Sequence, residues 1–235
     1  MDQIAYTNQF AALSTPLIAD ACLRLNLPLR AAPTQIQALL PNSHCVGRAL
    51  PVRHYGSVDI FLAVLETAQA GDILVIDNAG RTDEACIGDL IVLEAQTAGL
   101  AAIVVWGLHR DTNDLLRIGF PVFSAGRCTA GPQRLDPWQA EALSNAQIGS
   151  CRVTNADLVF ADADGVLFVA ADRAAEVLAT AQQIAERERQ QARAIQAGRT
   201  LREQVQFQAY TAHRERDPSL TFRQHLRQIG GAIEE

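Results

Sequence analysis

The sequence predicts an α/β fold built around a parallel sheet. Strand and helix patterns alternate over residues 73–124, beginning with Ile73–Asp77, a continuous apolar run typical of a strand covered on both faces. Strands that alternate with helices pair in parallel through crossover connections. Polar motifs also follow predicted strands, and strand ends are where α/β proteins usually place their chemistry.

The other elements of the first half follow in chain order. Ser14-Thr15-Pro16 predicts a helix start, with a hydroxyl cap and a proline in the first turn. Residues 46–54 form a strand that Pro51 interrupts, which predicts a position near a sheet edge. After a helix over 58–69 and the strand at 73–77, we expect a loop over 78–87, a helix over 89–98, a strand over 101–106, a short helix over 113–117 and a strand over 121–124.

The pattern changes after residue 126. Residues 126–137 are rich in glycine, proline and arginine and predict a loop. Short strands follow over 148–153, 158–161 and 166–169, and Asp164-Gly165 predicts a hairpin turn between the last two.

The C-terminal part of the chain predicts helices. A long helix over 172–198 carries Val177, Ala181, Ile184 and Ile195, and apolar residues recur near the end at helical spacing. Such a stripe predicts docking on the body or on a neighbouring subunit. We therefore expect an α/β domain over 1–171 and a helical extension over 172–235. The apolar residues near the end are Phe222, Leu226, Ile229 and Ile233.

Composition narrows the class of protein. A chain of 235 residues that is 49 % apolar can bury a core, and its net charge of −6 disfavours a nucleic-acid partner. The five cysteines are scattered without a CxxC pair, which disfavours disulfides and thiolate zinc. No signal peptide or membrane span is recognisable. These features predict a cytoplasmic protein with no membrane partner.

The chain contains no lysine, so all 20 of its Lys+Arg residues are arginine. A lysine Schiff base, one of the two ordinary ways to stabilise a carbanion next to a carbonyl, is therefore absent from this chain. The other way is a bound metal that acts as a Lewis acid.

Arg110-Asp111 is the strongest candidate site, because it follows the apolar run 101–106 and Gly107. The arginine offers a cation for a substrate carboxylate, and the aspartate offers an anion for a metal. Two other interpretations stay open at this point: a structural salt bridge, or a cap for the following helix.

Gly88-Asp89-Leu90 is the second candidate. A glycine beside an aspartate often only begins a helix, but the free N–H groups of a first helical turn also bind anions such as carboxylates. In that case Asp89 would face the same pocket as Asp111.

Other motifs favour structural roles. Asp162-Ala163-Asp164-Gly165 lacks downstream calcium ligands and predicts a hairpin turn, and Glu186 and Glu188 predict a solvated helix surface. The histidines show no paired spacing, which disfavours an imidazole metal site. They are His44, His54, His109, His213 and His225.

In this order, the motifs resemble the RraA-like family, which includes 4-hydroxy-4-methyl-2-oxoglutarate aldolases and regulators of ribonuclease activity. The resemblance covers most of the chain, and the ordered combination is more specific than any one motif. The matching segments are residues 14–21, 71–77, Gly88-Asp89-Leu90, 107–111 and 162–166.

The resemblance implies a phosphohistidine-domain-like swivelling β/β/α fold, with an N-terminal helix and a long C-terminal helical tail. It also implies homotrimers or homohexamers with active sites between subunits. The implied activity is cleavage of 4-hydroxy-4-methyl-2-oxoglutarate or 4-carboxy-4-hydroxy-2-oxoadipate to pyruvate, with oxaloacetate decarboxylation, using Mg²⁺ or another divalent cation such as Mn²⁺.

Roles for individual residues follow from the resemblance. Asp111 would ligate the metal, Arg110 would bind the pyruvate moiety, and Asp89 would hold a water on the metal. That water would take the 4-hydroxyl proton and later reprotonate the enolate. The amides near Leu90 and Ile91 would take the pyruvate carboxylate, and Gly88 and Asp89 would also belong to the substrate-binding site.

A glutamate from a neighbouring subunit, Glu186 or Glu188, would complete the site. The rival interpretation is a non-catalytic regulator that binds and inhibits a ribonuclease. Arg110-Asp111 does not separate the two, whereas a glutamate placed across a subunit boundary would favour the enzyme.

Overall fold

The computed structural model describes residues 3–230, and a seven-stranded mixed sheet forms the centre of that part of the chain. Two small two-stranded sheets accompany it. The strands are β1 (Gln37–Ala38), β2 (Cys45–Arg53), β3 (Ile73–Asp77), β4 (Ala85–Ile87), β5 (Ala102–Trp106), β6 (Leu108–His109), β7 (Val122–Ser124), β8 (Asn145–Ile148), β9 (Cys151–Thr154), β10 (Asp157–Asp162) and β11 (Gly165–Ala170).

The main sheet has the order β1–β7–β5–β3–β2–β10–β11. Strands β2, β3, β5 and β7 pair in parallel, and the β10–β11 hairpin joins β2 in antiparallel fashion. The predicted parallel core and the predicted hairpin are both confirmed. The helices are α1 (Gln3–Phe10), α2 (Thr15–Arg24), α3 (Asp59–Leu65), α4 (Asp89–Thr97), α5 (Thr112–Ile118), α6 (Ala174–Gln196), α7 (Leu201–Gln204), α8 (Phe207–Arg216) and α9 (Phe222–Ile229).

Both faces of the parallel strands are covered. Leu74 and Ile76 of β3 enter a core shared with α3, α4 and α5. Ile73 and Val75 enter a second core, which the β8–β9 hairpin covers on the other face. Alternate side chains of one strand thus enter different cores, which explains its unbroken apolar sequence.

A third core joins α2 and α6 to β10 and β11. Val177, Ala181 and Ile184 are buried there as predicted, but Ile195 is 46 % exposed because the buried part of α6 ends at Ala185. No helix among residues 3–230 combines the length and apolar character needed to cross a lipid bilayer.

The tail helices pack largely on one another. Tyr210, Phe222 and His225 form an aromatic cluster with Phe207, and His225 Nε2 lies 2.8 Å from the Val205 carbonyl oxygen. Of the predicted apolar stripe, Ile233 lies outside the described residues. The division of the chain at residue 171 stays a prediction.

The edge prediction for β2 is right only around Pro51. As a whole β2 is an interior strand between β3 and β10, and Pro51 does not interrupt it. Its ladder to β10 ends at Arg48, however, so among the described residues Pro51 pairs with β3 alone and lies at a local edge. Residues 148–153 form parts of two strands rather than one, because Gly149 adopts a φ of 58° and turns the chain. In addition, the predicted loop over 78–87 contains the short strand β4.

Candidate active site

A cavity of about 370 Å³ lies beside the N-terminus of α4. Three strand ends supply its polar groups: His54 directly follows β2, Gly88 follows β4, and Arg110 follows β6. All of the residues that the sequence singled out for substrate or metal line this one cavity. They are Gly88, Asp89, Leu90, Ile91, Arg110 and Asp111.

The first turn of α4 offers free amides to the cavity. Gly88 is its N-cap residue, and the Leu90 amide donates to Asp89 Oδ1 at 2.8 Å, so that amide is occupied. Among the described residues, the amides of Asp89 and Ile91 have no hydrogen-bond partner. Free donors at a helix N-terminus suit a carboxylate.

Asp111 adopts a strained backbone conformation. Its φ of 57° and ψ of 37° lie in the left-handed region, which costs an L-residue about 1–2 kcal/mol. Asp111 is the N-cap residue of α5, but its side chain makes no capping bond; its carbonyl oxygen accepts from the Asp114 and Leu115 amides instead. The capping interpretation therefore explains the backbone of Asp111 and leaves its carboxylate unaccounted for.

The Asp111 carboxylate lies so close to the backbone of Gly88 that a larger residue would not fit at position 88. A Cβ added at Gly88 would lie 2.2 Å from Asp111 Oδ2. The neighbouring Arg110 Nε is 3.4 Å from the same oxygen, which is a loose ion pair between partly exposed groups. The carboxylate is thus accessible at the cavity without being neutralised there.

Arg110 is half exposed, and a Cβ added at Gly131 would lie 2.9 Å from its Nη1. The loop over 126–137 therefore lies against this guanidinium, and glycine at 131 provides the room. The arrangement leaves Arg110 available to an anion in the cavity.

His109 is buried behind this turn and does not line the cavity. Its Nδ1 lies 2.7 Å from Ser124 Oγ and its Nε2 lies 3.1 Å from Thr112 Oγ1. Burial, assisted by the charge of Arg127, lowers the pKa of His109. Because both ring nitrogens are engaged, His109 anchors the start of α5.

A buried polar cluster on the cavity wall has no counterpart in the sequence-based predictions. It joins His54, Asn78, Glu84 and Arg134, of which only His54 lines the cavity. His54 could have been found by the argument applied to Arg110, since it ends a predicted strand of the parallel sheet. Glu84 and Arg134 lie in loops far apart in sequence, and no local pattern links them.

The remaining candidates lie elsewhere. Glu186 lines a surface groove on α6 and Glu188 is exposed, so neither reaches the cavity within one chain. Asp162 is buried and accepts from Thr15 and Asp164, which accounts for the acidic turn without calcium. Cys86 also lines the cavity, but burial raises the pKa of its thiol well above the usual range, which disfavours a thiolate nucleophile.

The fold and the cavity define a class: an α/β protein with carboxylate and guanidinium groups at the ends of its strands. The RraA-like family model, described as Aldolase/RraA, matches residues 15–168. The chain therefore belongs to the RraA-like family, and the predicted membership and fold are confirmed.

Individual relatives agree with that membership. A Halalkalibacterium halodurans protein, provisionally named a 4-hydroxy-4-methyl-2-oxoglutarate aldolase, is 30 % identical over 174 residues, covering 71 % of this chain and 77 % of that one. An uncharacterised Pseudomonas syringae protein of known structure superposes with a TM-score of 0.73 at 26 % identity, covering 85 % of this chain and 96 % of that one.

A second solved structure is RraAS2 from Streptomyces coelicolor, described as an unusual member of the RNase ES inhibitor RraA protein family. Its TM-score is 0.69 at 26 % identity, covering 79 % of this chain and 94 % of that one. Relatives of the chain thus carry both an enzyme name and an inhibitor name.

Proposed function

We propose that this protein is a divalent-metal-dependent lyase that releases pyruvate from 2-oxo acids, either by aldol cleavage of a 4-hydroxy-2-oxo acid or by decarboxylation of oxaloacetate. The observation that carries the proposal is the Asp111 carboxylate, which is held at the cavity on a strained backbone without a hydrogen-bond donor among the described residues. Backbone strain of this kind clusters at functional sites.

The residues present fit a hard divalent cation. Among residues 3–230, no three His, Cys, Asp or Glu side chains converge on one point, which disfavours a zinc-like cage. Mg²⁺ commonly binds through one or two carboxylates and keeps waters on its other positions. Asp111 would hold Mg²⁺ or Mn²⁺, and Asp89 lines the same cavity. When bound, the cation supplies positive charge that stabilises the enolate oxygen, worth several kcal/mol.

Each polar group of the cavity has a separate task in this proposal. Arg110 binds the carboxylate or the 2-oxo oxygen through charge-assisted hydrogen bonds, each worth about 1.5–3 kcal/mol. The free amides of Asp89 and Ile91 take the other end of the 2-oxo-acid group. Asp89 also orients a water that takes the 4-hydroxyl proton and later returns a proton to the enolate carbon. The absence of lysine supports this assignment, because no Schiff base competes with it.

A homotrimer or homohexamer with cavities between subunits is part of the proposal. Leu90 is 73 % exposed and Val58 is 52 % exposed at the cavity, so a neighbouring subunit would cover apolar surface there. Glu186 or Glu188 of that neighbour would then reach the site. Light scattering after gel filtration measures the number of subunits in the assembly. Turnover of the single variants E186Q and E188Q then identifies the glutamate whose replacement lowers activity.

The central test measures pyruvate release from 4-hydroxy-4-methyl-2-oxoglutarate and from oxaloacetate. We expect turnover with Mg²⁺, loss of turnover with excess chelator, and recovery when Mg²⁺ or Mn²⁺ is restored. Oxaloacetate also decays in the presence of the metal without any protein, and the rate of this decay, measured in buffer that contains the metal alone, is subtracted. Chelator-insensitive turnover, or none above that blank, would contradict the proposal.

The second candidate function is inhibition of a ribonuclease, which the resemblance to RraAS2 favours. It predicts that the purified chain slows RNA cleavage by an RNase E-type enzyme in proportion to its concentration. Asp111→Asn separates the two functions, since inhibition through a protein surface does not need this cavity carboxylate.

A further inference from the structure

The chain divides into two parts of opposite charge. Residues 1–185, the body, contain 11 arginines and 19 acidic residues, which gives a formal net charge of −8. Residues 186–230, which we call the C-terminal arm, contain nine arginines and five acidic residues, which gives +4. Together with Glu234 and Glu235 they make up the whole-chain charge of −6. The value that disfavours a nucleic-acid partner is therefore the sum of an acidic part and a basic part.

The arm has a small core of its own. The buried part of α6 ends at Ala185, and the helix continues for 11 residues, about 16 Å, to Gln196. Helices α7, α8 and α9 then bury four apolar side chains, none of which belongs to the three cores of the body. Gln204 Nε2 joins these helices to α6 by donating to the Gln191 carbonyl oxygen at 3.2 Å. The four side chains are those of Val205, Tyr210, Leu220 and Leu226.

The arginines of the two parts differ in their partners. Eight of the 11 arginines of the body form ion pairs, for example Arg30 with Asp157 and Arg48 with Asp72. By contrast, all nine arginines of the arm are exposed, and none lies within 4 Å of a carboxylate of the described residues. They are Arg187, Arg189, Arg193, Arg199, Arg202, Arg214, Arg216, Arg223 and Arg227.

Most of these guanidinium groups are available to a ligand. Arg189 Nε donates to the Ala185 carbonyl oxygen, and Arg214 Nη1 donates to Tyr210 Oη. The other seven side chains have no hydrogen-bond partner among the described residues. Positive charge that is not neutralised opposes the folding of so small a module, because like charges repel one another. An anionic partner would remove this repulsion.

We propose that the C-terminal arm binds the phosphate backbone of a nucleic acid, a function separate from the chemistry of the cavity. A guanidinium group presents a planar set of donors that matches two phosphate oxygens. The charge of the arm is complementary to a phosphate backbone, whereas the acidic body repels it. Binding is therefore confined to the arm.

The surface of the arm fits a nucleic acid better than a protein. Interfaces with nucleic acids are more polar and much more positive than those between proteins. The centre of a protein–protein interface is apolar and depleted of charge. In the described chain the arm exposes only three large apolar side chains, Ile195, Leu201 and Phe207, beside its nine arginines. The acidic body of a second copy is the rival partner, and the test below separates the two.

The test measures the fluorescence anisotropy of a labelled single-stranded RNA of about 20 nucleotides, titrated with the full chain. R216Q/R223Q/R227Q removes three arm arginines that make no side-chain hydrogen bond to described residues. R117Q/R152Q/R173Q is the matched control, because it removes three surface arginines of the body and changes the net charge equally. We expect the arm variant to bind about tenfold more weakly or worse, and the control to stay within about twofold of the parent.

The dependence on salt tests the charge contribution in the parent protein, even if the arm variant fails to fold. Affinity should fall steeply between about 50 and 200 mM salt, because each neutralised phosphate releases counterions. The arm variant should show a shallower dependence, by about 2 in the slope of log affinity against log salt for three lost contacts. Binding that salt does not weaken would overturn the proposal.

Further titrations identify the form of the backbone. Tighter binding of RNA than of DNA of the same sequence would assign a part to the 2′-hydroxyl, and equal binding would assign the phosphates alone. No binding at about 50 mM salt, or equal losses in the two variants, would overturn the proposal. An arm variant that changes the number of subunits but keeps its RNA affinity would also overturn it and favour the second copy. A parent that binds RNA but releases no pyruvate would remove only the proposed function.

Discussion

Two aspartates at tight turns, Asp111 and Asp162, lie in opposite surroundings. Asp162 is 5 % exposed, and its carboxylate accepts from Thr15 N and Thr15 Oγ1 at 2.6 Å each and from Asp164 N at 2.9 Å. The Asp111 side chain is 37 % exposed, and its closest charged neighbour is Arg110 at 3.4 Å. The Asp162 carboxylate therefore has all its hydrogen-bond partners inside the protein, whereas the Asp111 carboxylate is available to bind a ligand.

The difference shows how to separate structural from functional acids. A buried carboxylate surrounded by donors stabilises the fold, because removing it leaves those donors unsatisfied. A carboxylate without donors, on a strained backbone beside a cavity, gives the fold little. Each prediction below changes one side of this comparison.

The largest effect is expected at Asp111. D111N keeps a residue that tolerates the left-handed conformation but removes the negative charge. Pyruvate release should fall about 1,000-fold or more, since metal charge stabilisation is worth several kcal/mol. A coupled pyruvate assay measures this, and D114N, on the adjacent exposed helix, is the control that should keep full activity. Undiminished turnover in D111N would remove Asp111 from the site.

The next effect concerns stability at Asp162. D162A leaves the buried Thr15 amide and hydroxyl without their acceptor, so the free energy of unfolding should fall by about 3 kcal/mol. Activity at a temperature where the variant is folded should be unchanged. Urea denaturation checks this, with D164A in the same turn as the exposed control. If D162A unfolds at the same urea concentration as the parent, the hydrogen bonds of Asp162 do not contribute to stability as proposed.

A smaller effect is expected at Gly88, where a methyl group would occupy the position of Asp111 Oδ2. Gly88 has ordinary extended φ and ψ, so alanine costs the backbone little. G88A should keep its melting temperature and lose about 10- to 100-fold in turnover, because a displacement of about 1 Å in a reacting group costs on that order. Activity equal to that of the parent would mean that the carboxylate position is not critical.

The smallest effect is a dependence of stability on pH. Burial lowers the pKa of His54 below its usual 6.5, so below that pH the unfolded chain binds a proton more readily than the native protein. Stability should therefore fall as pH drops below 6.5, by at most about 1.4 kcal/mol per pH unit for this group. H54N should show a shallower slope in urea denaturation between pH 7.5 and 5.5. Equal slopes would contradict this account.

The part of the fold that local pattern determines was predicted well. The strand Ile73–Asp77 and the helix Asp89–Thr97 appear where apolar spacing places them. Pro51 indicated a sheet edge, and it does lie beyond the end of the ladder to β10, but no local pattern shows that the first half of the same strand is interior. Ser14 is the N-cap residue of α2 as predicted, but its hydroxyl makes no capping bond. Instead the Thr15 amide and hydroxyl donate to the carboxylate of Asp162, which is distant in sequence.

The candidate site likewise contains residues that a local sequence pattern predicts and residues that it does not. Arg110 and Asp111 were found because they follow a buried strand, and the structure brings them to one cavity with Gly88 and Asp89. Their proposed roles stay predictions. The contact between Glu84 and Arg134 depends on two loops meeting, which no spacing rule anticipates. The tail beyond Gly198 packs largely on itself and touches α6 through Gln204, which donates to the Gln191 carbonyl oxygen, so its relation to the site also stays a prediction.

The left-handed backbone at Asp111 has a consequence for protein engineering. Glycine at this position would relieve about 1–2 kcal/mol of strain. A library screened only for heat tolerance should therefore enrich glycine at 111 and yield robust but inactive variants. Improving durability without losing turnover requires that this codon stay fixed while others vary.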